Sequence, residues 1–450
     1  MNLQESLEKI ESKQFVIEIY GLGYVGFPLA VKLASDGLKV FGIDTSTERI
    51  ERLKKNLLMD SEIYLKEQFL KIREEKLLEL TDSPSKTTIP KIGIICVPTP
   101  IPKENLDSNI FVTSAVEDFI KFSNEGDVLI LESSIEVGTT EKVQRQIENK
   151  EYNVGKNFGL CFCPERVDPQ NKEWHIENIP RIIFCSDDIT YEIAKKIYYH
   201  VNNGNLIRVE SARIAEVVKS FENAFRLVNI SLVNELAILC DKLGINVKSV
   251  INAAATKPFG FMPHYPGAGA GGHCIPKDPR FLLSSAKKFD VDFVTIENAL
   301  KINLNMPFYI CDSIEKAISN LNKKKTVLVC GLAYKANVED MRDSPSFKII
   351  QELIKREFEV IGYDPFFKKE NIPKYLKENH LVEINFEIKN ELDKTLLKDI
   401  TCLCIVQHHE KIKDELNEIY EKSLVPCIYD CQNKLVFNSK SKSKLIVLGD

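Results

Sequence analysis

The feature of this chain with the clearest chemical potential is a cysteine at the end of a glycine-rich segment. Residues 266–274 read PGAGAGGHC, and Asp278 lies four residues after Cys274. Two prolines nearby predict a turn that leads into the first turn of a helix. The amino-terminal end of a helix favours the thiolate form of a cysteine, and a thiolate is a nucleophile. Cys274 is therefore a candidate for covalent catalysis, with Asp278 placed to orient the thiol or a water molecule.

A structural role is the alternative for this cysteine. The chain has 12 cysteines, and most cysteines outside disulfides are small buried apolar residues. Closely spaced glycines argue against packing alone, because they allow the backbone to approach a ligand. Gly267, Gly269 and Gly272 even satisfy the G-x-G-x-x-G pattern. However, residues 262–266 contain prolines that do not fit a central strand, so we do not predict a dinucleotide site here.

A dinucleotide-binding pattern lies near the amino terminus instead. Residues 15–20 predict a strand, residues 27–35 a helix and residues 39–43 a second strand, which ends at Asp44. Glycines between the first strand and the helix allow a tight turn and a close approach to a pyrophosphate, and an acid at position 44 suits the adenosine ribose. We predict a nicotinamide or flavin dinucleotide and prefer NAD to NADP, with Arg49 as a residue that would also suit a 2′-phosphate. The candidate cofactor-binding residues here are Gly21, Gly23, Tyr24, Val25, Gly26, Asp44 and Arg49.

Strands and helices continue to alternate through the first half of the chain. Further apolar runs that predict buried strands lie at residues 91–97, 127–131 and 158–162. This alternation is typical of a parallel α/β sheet, whose functional residues collect at the carboxyl ends of the strands. Pro98, Thr99 and Ser134 follow two of these strands and are further cofactor-site candidates. Glu165 follows the third strand and is a candidate site residue as well.

A long helix is predicted for residues 211–242, where apolar residues recur at steps of three and four. Lys219 and Asn223 lie four residues apart on it, so that both can contact one ligand. The alternative is a solvated polar face. The surplus of apolar residues on this helix predicts a subunit interface, and we expect a homodimer.

A second α/β unit begins near Lys325, without the triple-glycine loop. Lys335 and Arg342 place cations beside a strand end, where they suit a diphosphate; two ordinary surface cations are the alternative. The tail from Asn438 alternates serine and lysine, and we expect it to lack regular structure.

The composition narrows the class of protein. A chain of 450 residues implies two or three domains. A net charge of −5 argues against binding to nucleic acid or to a membrane surface. No signal peptide is visible, and no apolar run reaches the ~20 residues that span a bilayer. We therefore expect a cytoplasmic protein with reduced cysteines, and the cysteine spacing predicts no zinc site.

Taken together, the motifs resemble the nucleotide-sugar 6-dehydrogenase family from residue 15 to about residue 433. The resemblance is carried by the glycine loop at 21–26, Cys96-Val97-Pro98-Thr99-Pro100, Pro164-Glu165-Arg166, Lys219 with Asn223, Gly271-Gly272-His273-Cys274, and Gly331-Leu332-Ala333-Tyr334-Lys335. It implies an α/β fold in which two Rossmann-like, doubly wound domains are joined by a long central helix. The implied domains are an NAD-binding domain at 1–208, a central region with the helix and the cysteine loop at 209–320, and a nucleotide-sugar-binding domain at 321–450.

The resemblance also implies an activity, the four-electron oxidation of the sugar C6 alcohol to a carboxylate with two NAD⁺. Lys219 and Asn223 would stabilise the oxyanion at O6, and Asp278 would manage the proton. Cys274 would attack the aldehyde, and Glu165 would position or activate the water that hydrolyses the resulting thioester. The implied catalytic residues are Cys274, Lys219, Asn223, Asp278, Glu165 and Ser134. The implied substrate-binding residues are Glu165, Arg166, Lys219, Asn223, Gly271, Gly272, Lys335 and Arg342.

Three residues depart from the family pattern. Ser134 replaces a threonine, Glu136 replaces a proline, and Gln432 stands where the family often has an arginine. A serine hydroxyl can still hold the water, whereas the change at 432 removes one cation from the phosphate clamp.

The identity of the sugar rests on short motifs. His273 resembles the N-acetylhexosamine branch of the family. Residues 257–263, KPFGFMP, most resemble the UDP-N-acetylglucosamine enzymes within that branch, and we therefore predict UDP-N-acetylglucosamine as the substrate. The alternatives are UDP-N-acetylmannosamine, UDP-N-acetylgalactosamine, UDP-glucose and GDP-mannose. An inactive NAD-binding scaffold is a remote alternative, and an alcohol dehydrogenase that stops at the aldehyde would leave Cys274 unexplained.

Overall fold

The protein is described by a computed structural model that covers residues 1–84, 86–101, 108–167, 171, 173–272, 274–321, 324–367, 375–377, 386–436 and 440–450. Its contacts divide the chain into two compact units. The amino-terminal unit comprises Met1–Glu222 and Arg280–Val291, and the carboxy-terminal unit comprises Asn223–Pro279 and Asp292–Asp450. The three-domain boundaries at residues 208 and 320 stay a prediction.

An eight-stranded sheet forms the centre of the amino-terminal unit. Its strands are β1 (Val16–Tyr20), β2 (Val40–Ile43), β3 (Leu78–Thr81), β4 (Lys91–Ile95), β5 (Val128–Leu131), β6 (Gly159–Phe162), β7 (Arg181–Cys185) and β8 (Leu206–Arg208). They are arranged in the order β3-β2-β1-β4-β5-β6-β7-β8. The order reverses between β1 and β4, the point at which such sheets bind nucleotides.

Helices cover this sheet, so its central strands are buried throughout and mostly apolar, with Glu18 and Lys91 as charged exceptions. The helices of the unit are α1 (Leu3–Glu11), α2 (Gly26–Ser35), α3 (Thr47–Lys54), α4 (Lys66–Glu74), α5 (Ile110–Lys121), α6 (Thr139–Glu148) and α7 (Asp188–Asn202). The strand–loop–helix–strand unit predicted for residues 15–43 is confirmed as β1, α2 and β2.

A second, six-stranded parallel sheet forms the centre of the carboxy-terminal unit. Its strands are β9 (Thr326–Cys330), β10 (Glu359–Tyr363), β11 (Glu387–Lys389), β12 (Cys402–Ile405), β13 (Cys427–Asp430) and β14 (Lys444–Val447), in the order β11-β10-β9-β12-β13-β14. The helices that lie wholly in this unit are α9 (Val247–Ala254), α11 (Val294–Ile318), α12 (Pro345–Lys355) and α13 (Lys413–Glu421). The predicted α/β fold with two Rossmann-like sheets is confirmed.

Two helices contain a boundary between the units. The long central helix, α8, spans Ala212–Leu243, and α10 spans Asp278–Lys287. By length and composition α8 meets the criteria for a membrane-crossing helix, which the prediction of no such segment did not anticipate. Core helices of globular proteins meet the same criteria, and 44% of the most apolar window of α8 is buried.

Two predictions about the sheets need correction, one because it is incomplete and one because it is wrong. The first sheet is not wholly parallel, because β7 pairs with β6 in the antiparallel direction through Cys161–Cys185 and Phe162–Phe184. The tail does contain regular structure, since β14 pairs in parallel with β13 and extends the second sheet. The strand begins where the serine–lysine alternation ends, is four residues long and has only one buried residue, Val447, so the local sequence pattern did not indicate it.

Candidate active site

The glycine loop after β1 forms a cradle with one open side. Gly21 has a φ of +89° and donates its N–H to the carbonyl of Ile43 at 2.8 Å. A Cβ at Gly26 would lie 2.0 Å from the Gly21 carbonyl oxygen, so the start of α2 packs directly on the loop. A Cβ at Gly23 would meet nothing within 4 Å. Protein atoms therefore fill the space beside Gly26, whereas the space beside Gly23 is open. An open space at a glycine loop before a helix fits a pyrophosphate.

Asp44 and Arg49 border this loop. The Asp44 carboxylate accepts hydrogen bonds from the N–H groups of Leu22 and Ser46, both at 2.8 Å. Arg49 donates to the Leu22 carbonyl at 2.9 Å, and its guanidinium is paired with the buried Glu62 at 3.1 Å. Because Glu62 neutralises Arg49, this arginine is not a spare cation for a 2′-phosphate, and the loop residues fit NAD.

The remaining cofactor-site candidates lie at loop and strand ends in the same unit. Tyr24 is exposed and Val25 half-buried directly before α2. Pro98 is exposed, Thr99 is buried and Ser134 is half-buried. The neighbouring hydroxyl of Ser133 donates to the Val97 carbonyl at 2.7 Å, which ties the end of β5 to the segment after β4. The carboxyl ends of β4 and β5 thus adjoin, as the parallel register requires.

Glu165 is held by its own backbone surroundings after β6. Its Oε1 accepts hydrogen bonds from the N–H groups of Arg166 and Val167 at 2.5 and 2.6 Å. The Lys219 ammonium on α8 donates to the Glu165 carbonyl oxygen at 2.6 Å. Glu165 and Lys219, which were predicted separately as catalytic residues, are therefore in direct contact. Arg166 is engaged elsewhere, because its guanidinium pairs with Glu222.

A buried ionic group behind Glu165 was missed by the sequence analysis. Arg181, the first residue of β7, donates to Glu132 at 2.9 Å and lies 3.6 Å from Glu165. The Tyr198 hydroxyl donates to the same Glu132 oxygen at 2.5 Å. Burial raises the pKa of Glu132, and Arg181 opposes that shift. The signal in the sequence was an arginine and a glutamate inside otherwise apolar strand regions.

Glu136, the residue in place of the family's proline, is itself buried and has side-chain partners. Its carboxylate accepts hydrogen bonds from Ser108 at 2.8 Å and from Lys288 at 2.6 Å. The departure from the family pattern is thus compensated by an ion pair between Glu136 and Lys288.

Cys274 lies at the start of the turn that leads into α10. Its carbonyl oxygen accepts the N–H groups of Lys277 and Asp278 at 3.2 and 2.8 Å, and the helix begins at Asp278. The structure describes all 12 cysteines, and Cys274 alone among them is exposed. Burial raises the pKa of thiols such as Cys330, which favours their neutral form. The neighbouring His273 lies outside the described residues.

Asp278 is fully buried beside two polar groups. It accepts a hydrogen bond from the Asn223 amide at 2.7 Å, and Asn223 is itself only 7% exposed. The Lys277 ammonium lies 3.9 Å from the other carboxylate oxygen. The predicted catalytic residues Asn223 and Asp278 are therefore in direct contact.

The glycines before Cys274 pack closely on the loop after β9. A Cβ at Gly271 would lie 2.6 Å from the Asp343 carbonyl oxygen, and one at Gly272 would lie 2.6 Å from the Tyr334 ring. Gly272 also donates its N–H to the Arg342 carbonyl at 3.1 Å. These glycines bring the cysteine loop against the segment that carries the predicted diphosphate cations.

The two predicted cations differ in their surroundings. Lys335 is half-buried. The Arg342 guanidinium is paired with Asp340 at 2.6 Å within its own loop. Gln432, in place of an arginine, donates to Gln407 at 2.8 Å, and Gln407 donates to the Tyr334 carbonyl at 3.0 Å. Position 432 is thus a neutral support for the loop of Tyr334.

Comparisons with known proteins agree with this arrangement. The domains of the UDP-glucose/GDP-mannose dehydrogenase family match this chain in order: the NAD binding domain at residues 15–202, the central domain at 213–305 and the UDP binding domain at 328–436. UDP-N-acetyl-D-mannosamine dehydrogenase of Methanococcus vannielii is 32% identical over 446 residues, which are 96% of each chain. UDP-N-acetyl-D-glucosamine 6-dehydrogenase of Salmonella typhi is 31% identical over 79% of this chain and 83% of its own.

A solved structure shows the same fold. UDP-D-ManNAc dehydrogenase from Pyrococcus horikoshii superposes with a TM-score of 0.81 and 29% identity, over 96% of this chain and 99% of its own. The cofactor cradle, the UDP binding domain and these relatives agree on the class of enzyme. This chain belongs to the UDP-glucose/GDP-mannose dehydrogenase family and is an NAD-dependent nucleotide-sugar dehydrogenase.

Proposed function

We propose that the protein oxidises the C6 alcohol of UDP-N-acetylmannosamine to a carboxylate in two successive steps. The observation that carries this proposal is the exposed Cys274 at the start of α10, in a chain of this family. A dehydrogenase that stopped at the aldehyde would need no nucleophile. A thiolate supplies the covalent adduct from which a second oxidation can proceed.

When bound in the cradle at Gly21–Gly26, NAD⁺ would supply the hydride acceptor for each oxidation. In the first oxidation the C6 hydroxyl loses its proton while the hydride departs, and the oxygen carries negative charge. The Lys219 ammonium and the Asn223 amide stabilise that charge. Each of these side chains is held by a hydrogen bond, Lys219 by the Glu165 carbonyl and Asn223 by the Asp278 carboxylate, so that little reorganisation is needed. Asp278 takes part in the removal of the proton.

In the second oxidation the Cys274 thiolate sulfur bonds to the aldehyde carbon as the C=O π bond opens, which leaves negative charge on the oxygen of the thiohemiacetal. Departure of a hydride from that carbon re-forms the C=O bond and leaves a thioester. A water oxygen then bonds to the thioester carbon, Glu165 receives a proton from the water, and the carbon–sulfur bond breaks to regenerate the thiolate. Ser134 is proposed to hold the same water through its hydroxyl.

The names of the relatives favour one of the alternatives for the sugar. Six curated relatives that match at 31–35% identity are named UDP-N-acetyl-D-mannosamine dehydrogenase. Two that match at 30–31% are named UDP-N-acetyl-D-glucosamine 6-dehydrogenase. We therefore propose N-acetylmannosamine and keep N-acetylglucosamine, which the 257–263 motif favours, as the second candidate. The two sugars differ only in configuration at C2, so the shape of the pocket separates them.

The nucleotide diphosphate is proposed to bind beside the loop after β9. Lys335 offers an ammonium there, and Arg342 offers a guanidinium that is paired with Asp340. A diphosphate would compete with Asp340 for Arg342, because phosphate and carboxylate accept from the same in-plane N–H groups of a guanidinium. Gly271 and Gly272 would line the sugar, and Arg166 would act through its contact with Glu222.

A homodimer is also part of the proposal. The half of α8 in the carboxy-terminal unit exposes Phe225, Leu232 and Leu239, which are 44%, 61% and 52% exposed and recur every seven residues. A seven-residue repeat keeps side chains on one stripe of a helix, and such a stripe is typical of helix–helix association. Light scattering after gel filtration would show twice the chain mass, and Leu232→Glu would yield the monomer. A monomeric wild-type protein would contradict this assignment. A cytoplasmic location stays a prediction.

The test of the substrate is a set of kcat/KM values with NAD⁺. The substrates are UDP-N-acetylmannosamine, UDP-N-acetylglucosamine, UDP-N-acetylgalactosamine and UDP-glucose, assayed with wild type and Cys274→Ser. We expect the highest value for UDP-N-acetylmannosamine and no uronate from the variant. A preference for another sugar would overturn the substrate but keep the reaction. Binding of NAD without turnover of any sugar would support the inactive scaffold.

A further inference from the structure

We propose that the buried ion pair of Arg181 and Glu132 positions Glu165 for hydrolysis of the thioester, which makes Arg181 a positioning residue for the last chemical step. The inference rests on the role of Glu165 in the proposed function. It concerns residues of the amino-terminal unit only.

The first observation is the burial of the group. Arg181 is 0% exposed, Glu132 is 2% exposed and Tyr198 is 0% exposed. Burial of an arginine is unfavourable unless it is paired, and a buried ion pair usually stabilises a fold no better than apolar side chains of similar size. Stability of the unit therefore does not explain why this buried ionic group is present. A functional role for the charge of Arg181 does explain it.

The second observation is how the two Glu165 oxygens are held. Oε1 accepts two backbone hydrogen bonds, from Arg166 and Val167. Oε2 lies 3.6 Å from Nη2 of Arg181, which is an ion pair but longer than a hydrogen bond. Oε2 is thus oriented by charge and retains the capacity to accept a proton from water.

The third observation is the state of the guanidinium. Within the part of the chain that the structure describes, Arg181 Nε and Nη2 have no hydrogen-bond partner, although both are buried. Nη1 donates to Glu132, and the guanidinium carbon lies 5.2 Å from the centroid of the Tyr198 ring. Glu132 and Tyr198 therefore fix the guanidinium plane from one side. Nη2 remains as the donor nearest the carboxylate that handles water.

These contacts form a chain of support from the core to the reacting group. Tyr198 donates to Glu132, Glu132 holds Arg181, and the charge of Arg181 fixes Glu165 Oε2. Loss of the Arg181 charge would leave the buried Glu132 without a counter-ion and would let Glu165 Oε2 turn. Misplacement of a catalytic group by about 1 Å lowers a rate by about 10²-fold. The hydride transfers do not use Glu165 Oε2, so they should keep their rates.

The test is a single-turnover and burst experiment on Arg181→Met with NAD⁺ and the UDP-sugar that the wild type oxidises. We expect a burst of two NADH per site, then product release about 10²-fold slower than in wild type. Mass spectrometry of the quenched enzyme should show a sugar thioester on Cys274. Tyr198→Phe, which removes one hydrogen bond, should slow the same step by about twofold to tenfold and serves if Arg181→Met does not fold.

Lys91→Met is the matched control, because the same sheet contains a second fully buried ion pair. Lys91 lies 3.5 Å from Glu18, which also accepts a hydrogen bond from a tyrosine, Tyr20. Lys91 is the first residue of β4, whereas Glu165 follows the carboxyl end of β6, so the two residues lie at opposite ends of the strands. Lys91→Met should destabilise the protein but leave the rate of thioester hydrolysis unchanged. Equal slowing in both methionine variants would overturn the proposal and show a general effect of lost stability.

Glu165→Gln separates this inference from the proposed function. If Glu165→Gln accumulates the thioester while Arg181→Met and Tyr198→Phe release product at the wild-type rate, the positioning role is wrong and the proposed function stands. If Glu165→Gln releases product at the wild-type rate, the role of Glu165 is wrong, and the positioning role fails with it.

Discussion

Alanine at two glycines of the cofactor loop should separate NAD binding from folding. A Cβ at Gly26 would lie 2.0 Å from the Gly21 carbonyl oxygen and 3.0 Å from the Cys96 Cβ, so the backbone must move. A Cβ at Gly23 would meet no protein atom within 4 Å, and the φ of Gly23 lies outside the left-handed region. Gly23→Ala therefore fills only the space that we assign to the pyrophosphate.

The magnitudes follow from these distances. Overpacking a filled site costs about 1–3 kcal/mol, which for a domain of roughly 150–250 residues lowers Tm by about 2–4 °C per kcal/mol. Gly26→Ala should show that loss without any ligand. Gly23→Ala should stay within about 0.5 kcal/mol of wild type, as open surface positions do. Its Kd for NAD should rise at least about tenfold, which corresponds to about 1.4 kcal/mol of lost contact or added strain.

The assay pairs thermal unfolding of the unliganded variants with calorimetric titration of NAD⁺. Saturating NAD⁺ should raise the Tm of wild type more than that of Gly23→Ala, because a ligand that binds the folded state stabilises it more when its affinity is higher. Gly23→Ala that binds NAD as tightly as wild type would refute the reasoning. So would Gly26→Ala with an unchanged Tm.

Three further predictions concern the cofactor, the oxyanion and acid titration. Asp44→Asn should lower kcat/KM for NAD about tenfold, because the carboxylate acceptor for the ribose is lost. The ratio of kcat/KM for NAD to kcat/KM for NADP should therefore fall, and an unchanged ratio would contradict the role of Asp44. Asn223→Ala should lower kcat by about 10²–10³-fold with little change in KM, since an oxyanion donor acts in the transition state; Asn229→Ala on the same helix is the control, and equal loss in both would contradict a specific role. Burial raises the pKa of Asp127 to about 6, although the N–H groups of Asn124 and Lys91 oppose the shift. The folded protein therefore binds more protons than the unfolded chain between pH ~4 and ~6, and Asp127 should remove about 2–3 kcal/mol of stability as pH rises through that window. Urea unfolding at a series of pH values would show the loss, and a slope that Asp127→Asn leaves unchanged would exclude Asp127 as its cause.

The cofactor loop was predictable from the sequence because its residues are close together along the chain. Gly21, Gly23 and Gly26 lie within six residues, and Asp44 ends the adjacent strand. The family resemblance placed both Asn223 and Asp278 in the catalytic site but did not predict their contact. No local pattern joins residues that lie 55 positions apart.

The support behind Glu165 was not predictable in the same way. Glu132, Glu165 and Arg181 follow or begin three different strands, and their contacts depend on the order β5-β6-β7. The antiparallel direction of β7 places Arg181 at the end of the sheet where β5 and β6 finish. Alternating strands and helices predict a parallel sheet, so the local pattern gives no reason to place Arg181 near Glu165.

The central claim is a four-electron oxidation through Cys274, and the most direct measurement is the amount of NADH formed per mole of limiting UDP-N-acetylmannosamine. The account predicts two NADH and one uronate for each sugar with wild type, and no uronate with Cys274→Ser. One NADH with release of a free aldehyde, or a normal yield of uronate from Cys274→Ser, would contradict it.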